Sequence, residues 1–259
     1  MNRSIARRVA LASLALSGPF LGSAQVIYSQ NFDSGTPGES LTDPQFGFTV
    51  QNNGVGGDLK LGPALHGWTG NSVIGAGADN GQFNGLYKAL PLPTHGIAEF
   101  SADLYSGVIS SDDVGMTLFS GTPGNSDYHN FELNTYSDFW NTDNFPYNAN
   151  SFHFPAGMHS EPVHGSIFWN QDTGEHWAEL SDGTETLDSP HFLAPGQSPM
   201  TSIEVWIDRR AFNANPGDFD NLEVRVIPSA TPEPVTVSIG LAGVGLFVRR
   251  RFKSGGANG

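Results

Sequence analysis

Aromatic and polar side chains of the kinds that hold sugars occur together in the middle of the sequence. A flat ring stacks on the apolar face of a sugar, and nearby amide and carboxyl groups bind the sugar hydroxyls. We predict a glycan-binding site from one polar and aromatic stretch and from one tryptophan that faces outward on a predicted strand: Tyr136, Asp138, Trp140, Asn141 and Trp206. The alternative for each tryptophan is a place in the core of a β-sandwich.

Two glutamates, Glu175 and Glu179, are four residues apart on a predicted strand and would share one face of it. At about 3.3 Å per residue their backbones lie about 13 Å apart, which exceeds the about 5 to 9 Å between the carboxyl groups of glycosidases. Their spacing resembles the Glu-x-Asp-x-Glu strand of a laminarinase-like glycosidase family, but Trp177 stands where that family has its central Asp. We therefore assign no catalytic residue and predict that the protein is not an enzyme, with a divergent glycosidase or polysaccharide lyase as an alternative.

The residue types present limit the metal chemistry of the chain. It has no cysteine, which excludes thiol catalysis and cysteine-based zinc sites. The histidines between His153 and His176 show no tight metal-binding spacing. Oxygen ligands suit calcium, and we predict a structural Ca²⁺ site where the first and last strands would meet, formed by Asp33, Asp218, Asp220 and Asn221.

These candidate residues belong to short segments in which apolar and polar side chains alternate. Ile97–Tyr105 and Thr201–Asp208 alternate with period two, which is the pattern of a half-buried strand, and Leu222–Val226 repeats it. Glycine, proline, asparagine and aspartate recur between such segments, as turn residues do. No long segment of helical period occurs between Gln25 and Thr231.

This pattern predicts an all-β fold, in which two antiparallel sheets form a jelly-roll-like β-sandwich. Six further strands are predicted, at Gln25–Phe32, Gln82–Leu90, Val114–Ser120, Asn130–Tyr136, Ser166–Asn170 and Glu175–Leu180. The segment Asn141–Pro162 does not alternate, and we expect a long loop there. The domain resembles concanavalin-like and carbohydrate-binding jelly rolls, which often begin and end on neighbouring strands, as Asn31–Asp33 and Asp218–Leu222 would do here.

The N-terminus has the residue order of a secretory signal peptide. Three arginines before residue 9 precede the apolar run Val9–Leu21, and small residues follow it up to Ala24. The run is shorter than the about 20 residues that span a bilayer. We predict a signal helix that is cleaved after Ala24.

The C-terminus combines three features in one order. The motif Pro232-Glu233-Pro234 is followed by the apolar run Val235–Val248 and then by Arg249-Arg250-Arg251. This combination resembles the PEP-CTERM family of sorting tails, and the resemblance implies processing by a membrane protease of the exosortase type. The chain thus divides into a signal peptide at 1–24, a β-sandwich domain at 25–229 and a sorting tail at 230–253.

The length of the apolar run supports a temporary membrane role for the tail. At about 1.5 Å per residue, Val235–Val248 gives a helix of about 21 Å, which is shorter than the about 30 Å hydrocarbon core of a bilayer. The arginines that follow would stay on the cytoplasmic side. We expect a short hydrophobic helix that inserts transiently and holds the protein at the membrane until it is sorted.

The charge of the middle region limits its partners. Apart from histidine its only basic residues are Lys60, Lys88, Arg209, Arg210 and Arg225, against all but one of the 26 acidic residues of the chain. Nucleic acid is bound mainly through cationic contacts to phosphate, so this partner class is excluded. An acidic surface suits solubility, divalent cations or a neutral glycan.

These observations predict an exported protein of the cell envelope or extracellular matrix. We expect it to have a structural or adhesive role near exopolysaccharide, which is also its expected binding partner. The alternative is a carbohydrate-binding, lectin-like module.

Overall fold

The computed structural model describes most of the middle of the chain. The described residues are 23–41, 46–52, 59–75, 82–106, 112–121, 127–136, 139–145, 151–155, 161–194, 196–209 and 217–229. They contain strands and turns but no helix, and no helix able to cross a membrane is found among them. The apolar run Val9–Leu21, the motif Pro232-Glu233-Pro234, the apolar run Val235–Val248 and the arginines 249–251 lie outside the described residues.

One sheet has nine strands, here called the nine-stranded sheet. Its order is β13-β12-β11-β6-β16-β4-β3, with β1 also paired to β16 and β14 to β12. The strands are β1 (Gln25–Gln30), β3 (Leu59–Pro63), β4 (Asn71–Gly75), β6 (Ile97–Tyr105), β11 (Val163–Asn170), β12 (Glu175–Ser181), β13 (Thr186–Asp188), β14 (Phe192–Leu193) and β16 (Asp218–Ile227).

The second sheet has seven strands, here called the seven-stranded sheet, in the order β10-β9-β8-β7-β15-β5-β2. The strands are β2 (Thr49–Asn52), β5 (Gln82–Ala89), β7 (Asp112–Ser120), β8 (His129–Tyr136), β9 (Phe139–Phe145), β10 (Phe152–His153) and β15 (Ser202–Arg209). All pairings of the described strands are antiparallel. The predicted all-β fold of two antiparallel sheets is therefore confirmed.

Period-two alternation directs one face of each sheet into a shared core. The inward side chains predicted for β6 and β15 are fully buried, namely Ala98, Phe100, Ala102, Leu104, Ile203, Val205 and Ile207. Burying one such aliphatic or aromatic side chain contributes about 1.5 to 3 kcal/mol. The same core fixes which side chains of each strand face outward, because neighbouring residues of a strand point to opposite faces.

The first and last strands are neighbours, as their sequence motifs predicted. β1 pairs with β16 from Gln25↔Val226 to Gln30↔Leu222. Phe32 and Phe219, one from each motif, lie with their ring centroids 6.1 Å apart in the core. A bulge interrupts the pairing of β16 with β6 after Asp220, and Asn221 has a φ of 52° there, a conformation that asparagine tolerates better than most residues.

Part of the predicted loop Asn141–Pro162 is a strand, and that prediction is wrong. Residues up to Phe145 continue β9, which forms a hairpin with β8, and β10 pairs with β9 through Phe152↔Thr142 and His153↔Asn141. Asparagine and aspartate are rare in strands, so the composition of this segment did not predict a strand. Pairing with β8 on one side and β10 on the other stabilises β9 in spite of the weak strand preference of its residues.

A candidate carbohydrate-binding face

The outer face of the seven-stranded sheet, the side that points away from the core, carries a continuous row of polar side chains. Glu204 pairs with Thr117 on one side and with Tyr87 on the other, Thr117 pairs with Glu132, and Glu132 pairs with Asp143. We call Glu204, Thr117, Glu132 and Asp143 the acidic row. Glu204 and Thr117 are buried, whereas Glu132 and Asp143 are partly exposed.

A second row lies one step along the strands and contains an indole. Trp206 has a glycine as its partner on both sides, Gly85 and Gly115. A Cβ atom on Gly115 would lie 2.4 Å from Cε2 and Cζ2 of Trp206, so the ring lies flat across the glycine. The missing side chains leave room for the indole on the sheet surface, where 9% of the residue is exposed. The row continues from Gly115 to Asn134 and Asn141.

Amide groups connect the two rows. The Nδ2 group of Asn134 donates to Oε1 of Glu132 at 2.7 Å and to Oδ2 of Asp143 at 3.4 Å. Asn130 donates to Oε2 of Glu132 at 3.4 Å. Asn141 donates to Oδ1 of Asn134 and, at 3.5 Å, to Asp143. These bonds hold the amides and carboxyls in fixed orientations.

The buried polar atoms of this face that have no hydrogen-bond partner in the described part of the protein include Oε1 of Glu204, Oγ1 of Thr117 and Oδ1 of Asn141, on residues that are 7%, 1% and 3% exposed. A buried acceptor without a donor costs about 1 to 3 kcal/mol, and such atoms are rare in folded proteins. The face therefore carries acceptors whose hydrogen-bonding capacity the described residues do not use.

The pKa values of two carboxyl groups on this face are raised by burial, and no described cationic side chain lies beside them to offset it. Desolvation by burial raises the pKa of Glu204 to about 7. Burial, reinforced by the charge of Asp143, raises the pKa of Glu132 to about 7, against the hydrogen bond from Asn134. No lysine or arginine lies among the described outward side chains of this sheet. Both carboxyl groups are therefore harder to ionise than an exposed glutamate.

The predicted glycan-binding residues separate into three groups. Trp206 and Asn141 belong to the face described above. Trp140 pairs with the buried Thr135 and is 1% exposed in the core, so its ring is not available to stack on a sugar, and the structure removes it from the site. Tyr136 ends β8, but its side chain and all of Asp138 lie outside what the structure describes.

Sequence reasoning missed several residues of the face, above all Glu132, Asn130 and Asn134. The signal that could have found them is alternation, because these three alternate with the buried Phe131 and Leu133 along β8. The same pattern had already marked Glu204 and Trp206 as outward. What the pattern could not give is which strands are neighbours.

The predicted calcium ligands lie near the junction of the first and last strands. Burial raises the pKa of Asp218 to about 8, and burial with the charges of Asp103 and Asp33 raises that of Asp220 to about 7. The side chain of Asn221 donates to Asp103 at 2.7 Å. No group of three or more His, Asp or Glu residues able to hold a metal ion occurs among the described residues, and the calcium site stays a prediction.

The outer face of the nine-stranded sheet carries the Glu175 and Glu179 pair. Glu175 lies 2.9 Å from His191, and the ring of Trp177, between the two glutamates, stacks on Phe168 and on His191 with centroids 4.8 and 4.4 Å apart. Of the four histidines considered as metal ligands, His164 bonds Asp103, His176 is buried beside Trp169, His153 is exposed and His159 is not described. On this face Glu175, Trp177 and His164 each contact a partner side chain.

Comparison with known proteins shows the fold. No family model and no curated protein matches the chain. It is similar to the CBM2 module of the evolved Dit of Lactobacillus casei BL23 phage J-1, at 12% identity and a TM-score of 0.53 over 79% of this chain and 96% of that one. It is also similar to an endo-1,3-beta-glucanase from Streptomyces sioyaensis, at 11% identity and a TM-score of 0.53 over 82% of this chain and 100% of that one.

A legume lectin-like domain from Entamoeba histolytica is similar at 8% identity and a TM-score of 0.50, over 73% of this chain and 95% of that one. At these identities the likeness extends to the fold and not to the site. It confirms the predicted resemblance to concanavalin-like and carbohydrate-binding jelly rolls. The same fold occurs in a binding module, a lectin-like domain and a glucanase, so the fold alone does not decide whether this chain is an enzyme.

Proposed function

We propose that the protein is a lectin-like carbohydrate-binding protein that binds a neutral polysaccharide on the outer face of the seven-stranded sheet. The observation that carries the proposal is the pair of buried, partnerless acceptors, Glu204 Oε1 and Asn141 Oδ1, beside an indole that lies across Gly115. Sugar hydroxyls supply the donors that these acceptors lack, and the exposed part of the indole offers an apolar surface for a pyranose ring.

The charge of the face favours a neutral ligand over an anionic one. Glu204, Glu132 and Asp143 lie in one row without a described lysine or arginine beside them. A uronic acid or sulfate group placed there would meet like charges at short distance in a partly buried site. We therefore expect glucans, xylans or galactans to bind and alginate to be rejected.

The route to the ligand is part of the same proposal. The signal-like N-terminus would direct export of the protein. An exosortase-type protease would then process the PEP-CTERM-like tail and release the protein to the envelope or the extracellular space, where polysaccharide is present. A structural or adhesive role near exopolysaccharide is compatible with this binding and would be its consequence.

The test is a binding assay with the purified full-length chain. Affinity electrophoresis and calorimetry would use soluble β-1,3-glucan, xyloglucan, xylan and galactan, with alginate as the anionic comparison. We expect Trp206→Ala to weaken binding about tenfold or more, as truncation of a central aromatic contact does.

The matched control is Trp177→Ala, which removes a tryptophan from the outer face of the other sheet. It should bind as the unchanged protein does. Equal effects of the two substitutions, or binding of alginate in preference to the neutral glycans, would contradict the proposal. Thermal unfolding of both variants checks that each is folded.

A further inference from the structure

Two glutamates of the acidic row stand on opposite sides of a single residue. Glu204 on β15 and Glu132 on β8 both pair with Thr117 on β7, and all three side chains point to the outer face. Strands lie about 4.8 Å apart, so the two glutamate backbones are separated by about 10 Å across the sheet. The charge of Glu204 contributes to the raised pKa of Glu132.

Backbones about 10 Å apart are compatible with the arrangement that hydrolysis with inversion requires. In glycosidases that invert the anomeric centre the two carboxyl groups are about 6.5 to 9.5 Å apart, which leaves room for a water molecule, whereas retaining enzymes have about 5 to 5.5 Å. Glutamate side chains that rise on the same face from backbones about 10 Å apart can place their carboxyl groups in the first range. The hydroxyl of Thr117 adds a polar group at the midpoint.

We propose that Glu204 and Glu132 act as general acid and general base in the hydrolysis of a glycosidic bond of the polysaccharide bound at this face, an inference that rests on the proposed function. Glu204 donates its proton to the glycosidic oxygen while the bond from that oxygen to the anomeric carbon breaks. Glu132 takes a proton from a water molecule, whose oxygen forms the new bond to the anomeric carbon from the opposite side. One water is consumed, and a proton returned from Glu132 to Glu204 through solvent restores the pair.

The surroundings of each carboxyl group decide the roles. Glu204 is deeply buried, with an oxygen that no described donor reaches, which favours the protonated acid. Glu132 receives bonds from Asn134 at 2.7 Å and Asn130 at 3.4 Å, which favour the carboxylate that a base needs. Burial brings both pKa values to about 7, near the pH at which acid and base catalysis are both efficient.

Asp143 is the rival partner for Glu132, because direct neighbours across a strand pair lie about 5 Å apart, as in retaining enzymes. The Nδ2 group of Asn134 lies between the two carboxyls, and Asn141 also donates to Asp143. Asp143 is thus held by amides on the far side of Glu132. Its charge raises the proton affinity of Glu132 and does not complete the pair.

The experiment uses the full-length chain and the neutral polysaccharide of the binding panel that it retains most strongly. Release of reducing ends measures hydrolysis, and proton NMR of the first product identifies its anomer. We expect the inverted anomer, and a loss of rate of about 100-fold or more at saturating polysaccharide in Glu204→Gln and in Glu132→Gln. Glu175→Gln and Glu179→Gln, on the outer face of the other sheet, should keep the rate.

The outcomes separate this inference from the proposed function. Binding without any hydrolysis overturns the catalytic pair and leaves the lectin-like function intact, whereas absence of binding to every neutral polysaccharide overturns both. A retained anomer, or hydrolysis that survives both substitutions, also rejects the pair. Glu204→Asp, which keeps the acid but withdraws it from the glycan, should lose rate at saturating polysaccharide, so a folding defect in Glu204→Gln does not decide the result.

Discussion

On the outer face of the nine-stranded sheet several carboxylates have cationic partners, whereas no lysine or arginine lies among the described outward side chains of the seven-stranded sheet. Arg225 lies 3.2 Å from Glu99 and 2.8 Å from Glu223, and His164 lies 2.8 Å from Asp103. On the other face Glu132 and Glu204 are held or flanked only by amides, a hydroxyl and an indole.

This difference supports our proposal that the ligand binds on the seven-stranded sheet. Both outer faces are formed by the alternation of side chains along the strands. Each has a tryptophan near the middle of a strand, Trp177 on one face and Trp206 on the other. Paired charges lower the cost of burial on one side. Uncompensated carboxyls and partnerless acceptors are costs that a protein keeps where they serve a function. Among the described residues they include Glu132, Glu204 and Asn141 on the seven-stranded sheet, and also Asp218 and Asp220 at the junction of the first and last strands.

The largest expected effect is on the compensated face. Arg225→Ala should lower the free energy of unfolding by about 1 to 3 kcal/mol at pH 7.5, because Glu99, which is 7% exposed, loses its cation among the like charges of Glu179 and Glu223. The loss should shrink at pH 4, where Glu99 is protonated. Denaturant titrations at both pH values measure it, with Arg225→Lys as the control that keeps a positive charge.

The next effect concerns the glycine beneath the indole. Gly115→Ala would place a Cβ atom 2.4 Å from the Trp206 ring, so the ring must lift from the sheet, and we expect glycan binding to weaken about tenfold, which is about 1.4 kcal/mol. In the Trp206→Ala background the same glycine change should have little further effect. Additive losses in the double variant, measured by calorimetry, would show that Gly115 acts independently of the indole.

A smaller effect of opposite sign is expected for Glu204→Gln. Burial raises the pKa of Glu204 in the folded protein to about 7, above the about 4.5 of an unfolded chain, so the folded state favours the neutral carboxyl. The stability that this group contributes is present below pH 4.5 and is lost as the pH rises towards 7. The neutral amide avoids that loss, and the variant should be more stable by about 1 kcal/mol at pH 8.

Thermal unfolding from pH 4 to pH 8 tests this sign. The curves of the variant and of the unchanged chain should meet near pH 4 and diverge above pH 5. The unchanged chain should still lose stability with rising pH, because Glu132, Asp218 and Asp220 also have raised pKa values. Curves that stay parallel over the whole range would mean that the Glu204 carboxyl is not desolvated.

The smallest effect should come from Trp177→Ala. It removes the middle ring of the stack formed by Phe168, Trp177 and His191, and we expect a loss of about 0.5 to 1.5 kcal/mol of stability for the ring contacts, beyond the area they bury. Polysaccharide binding should change less than twofold. A larger loss of binding than Trp206→Ala causes would move the candidate site to the other sheet.

Much of the fold could be predicted from alternation, and little of the site could. Ile97–Tyr105 was predicted with its observed bounds, and the inward sets of β6, β15 and β16 are confirmed. The failure at Asn141–Pro162 arose because strand β9 is rich in residues that disfavour strands. Trp140 was assigned to a sugar site by its composition, but its register opposite the buried Thr135 turns the indole into the core.

The sequence by itself determined the acidic charge, the absence of cysteine, the β-rich pattern and, strand by strand, which side chains share a face. Only the tertiary structure decided that Glu204 stands beside Thr117 and Thr117 beside Glu132, and that Gly85 and Gly115 flank Trp206. Alternation is a local property of the extended chain, with a period of two residues. Which residues lie side by side across a sheet depends on which distant strands pair and in what register. This pairing is set by the burial of the whole core.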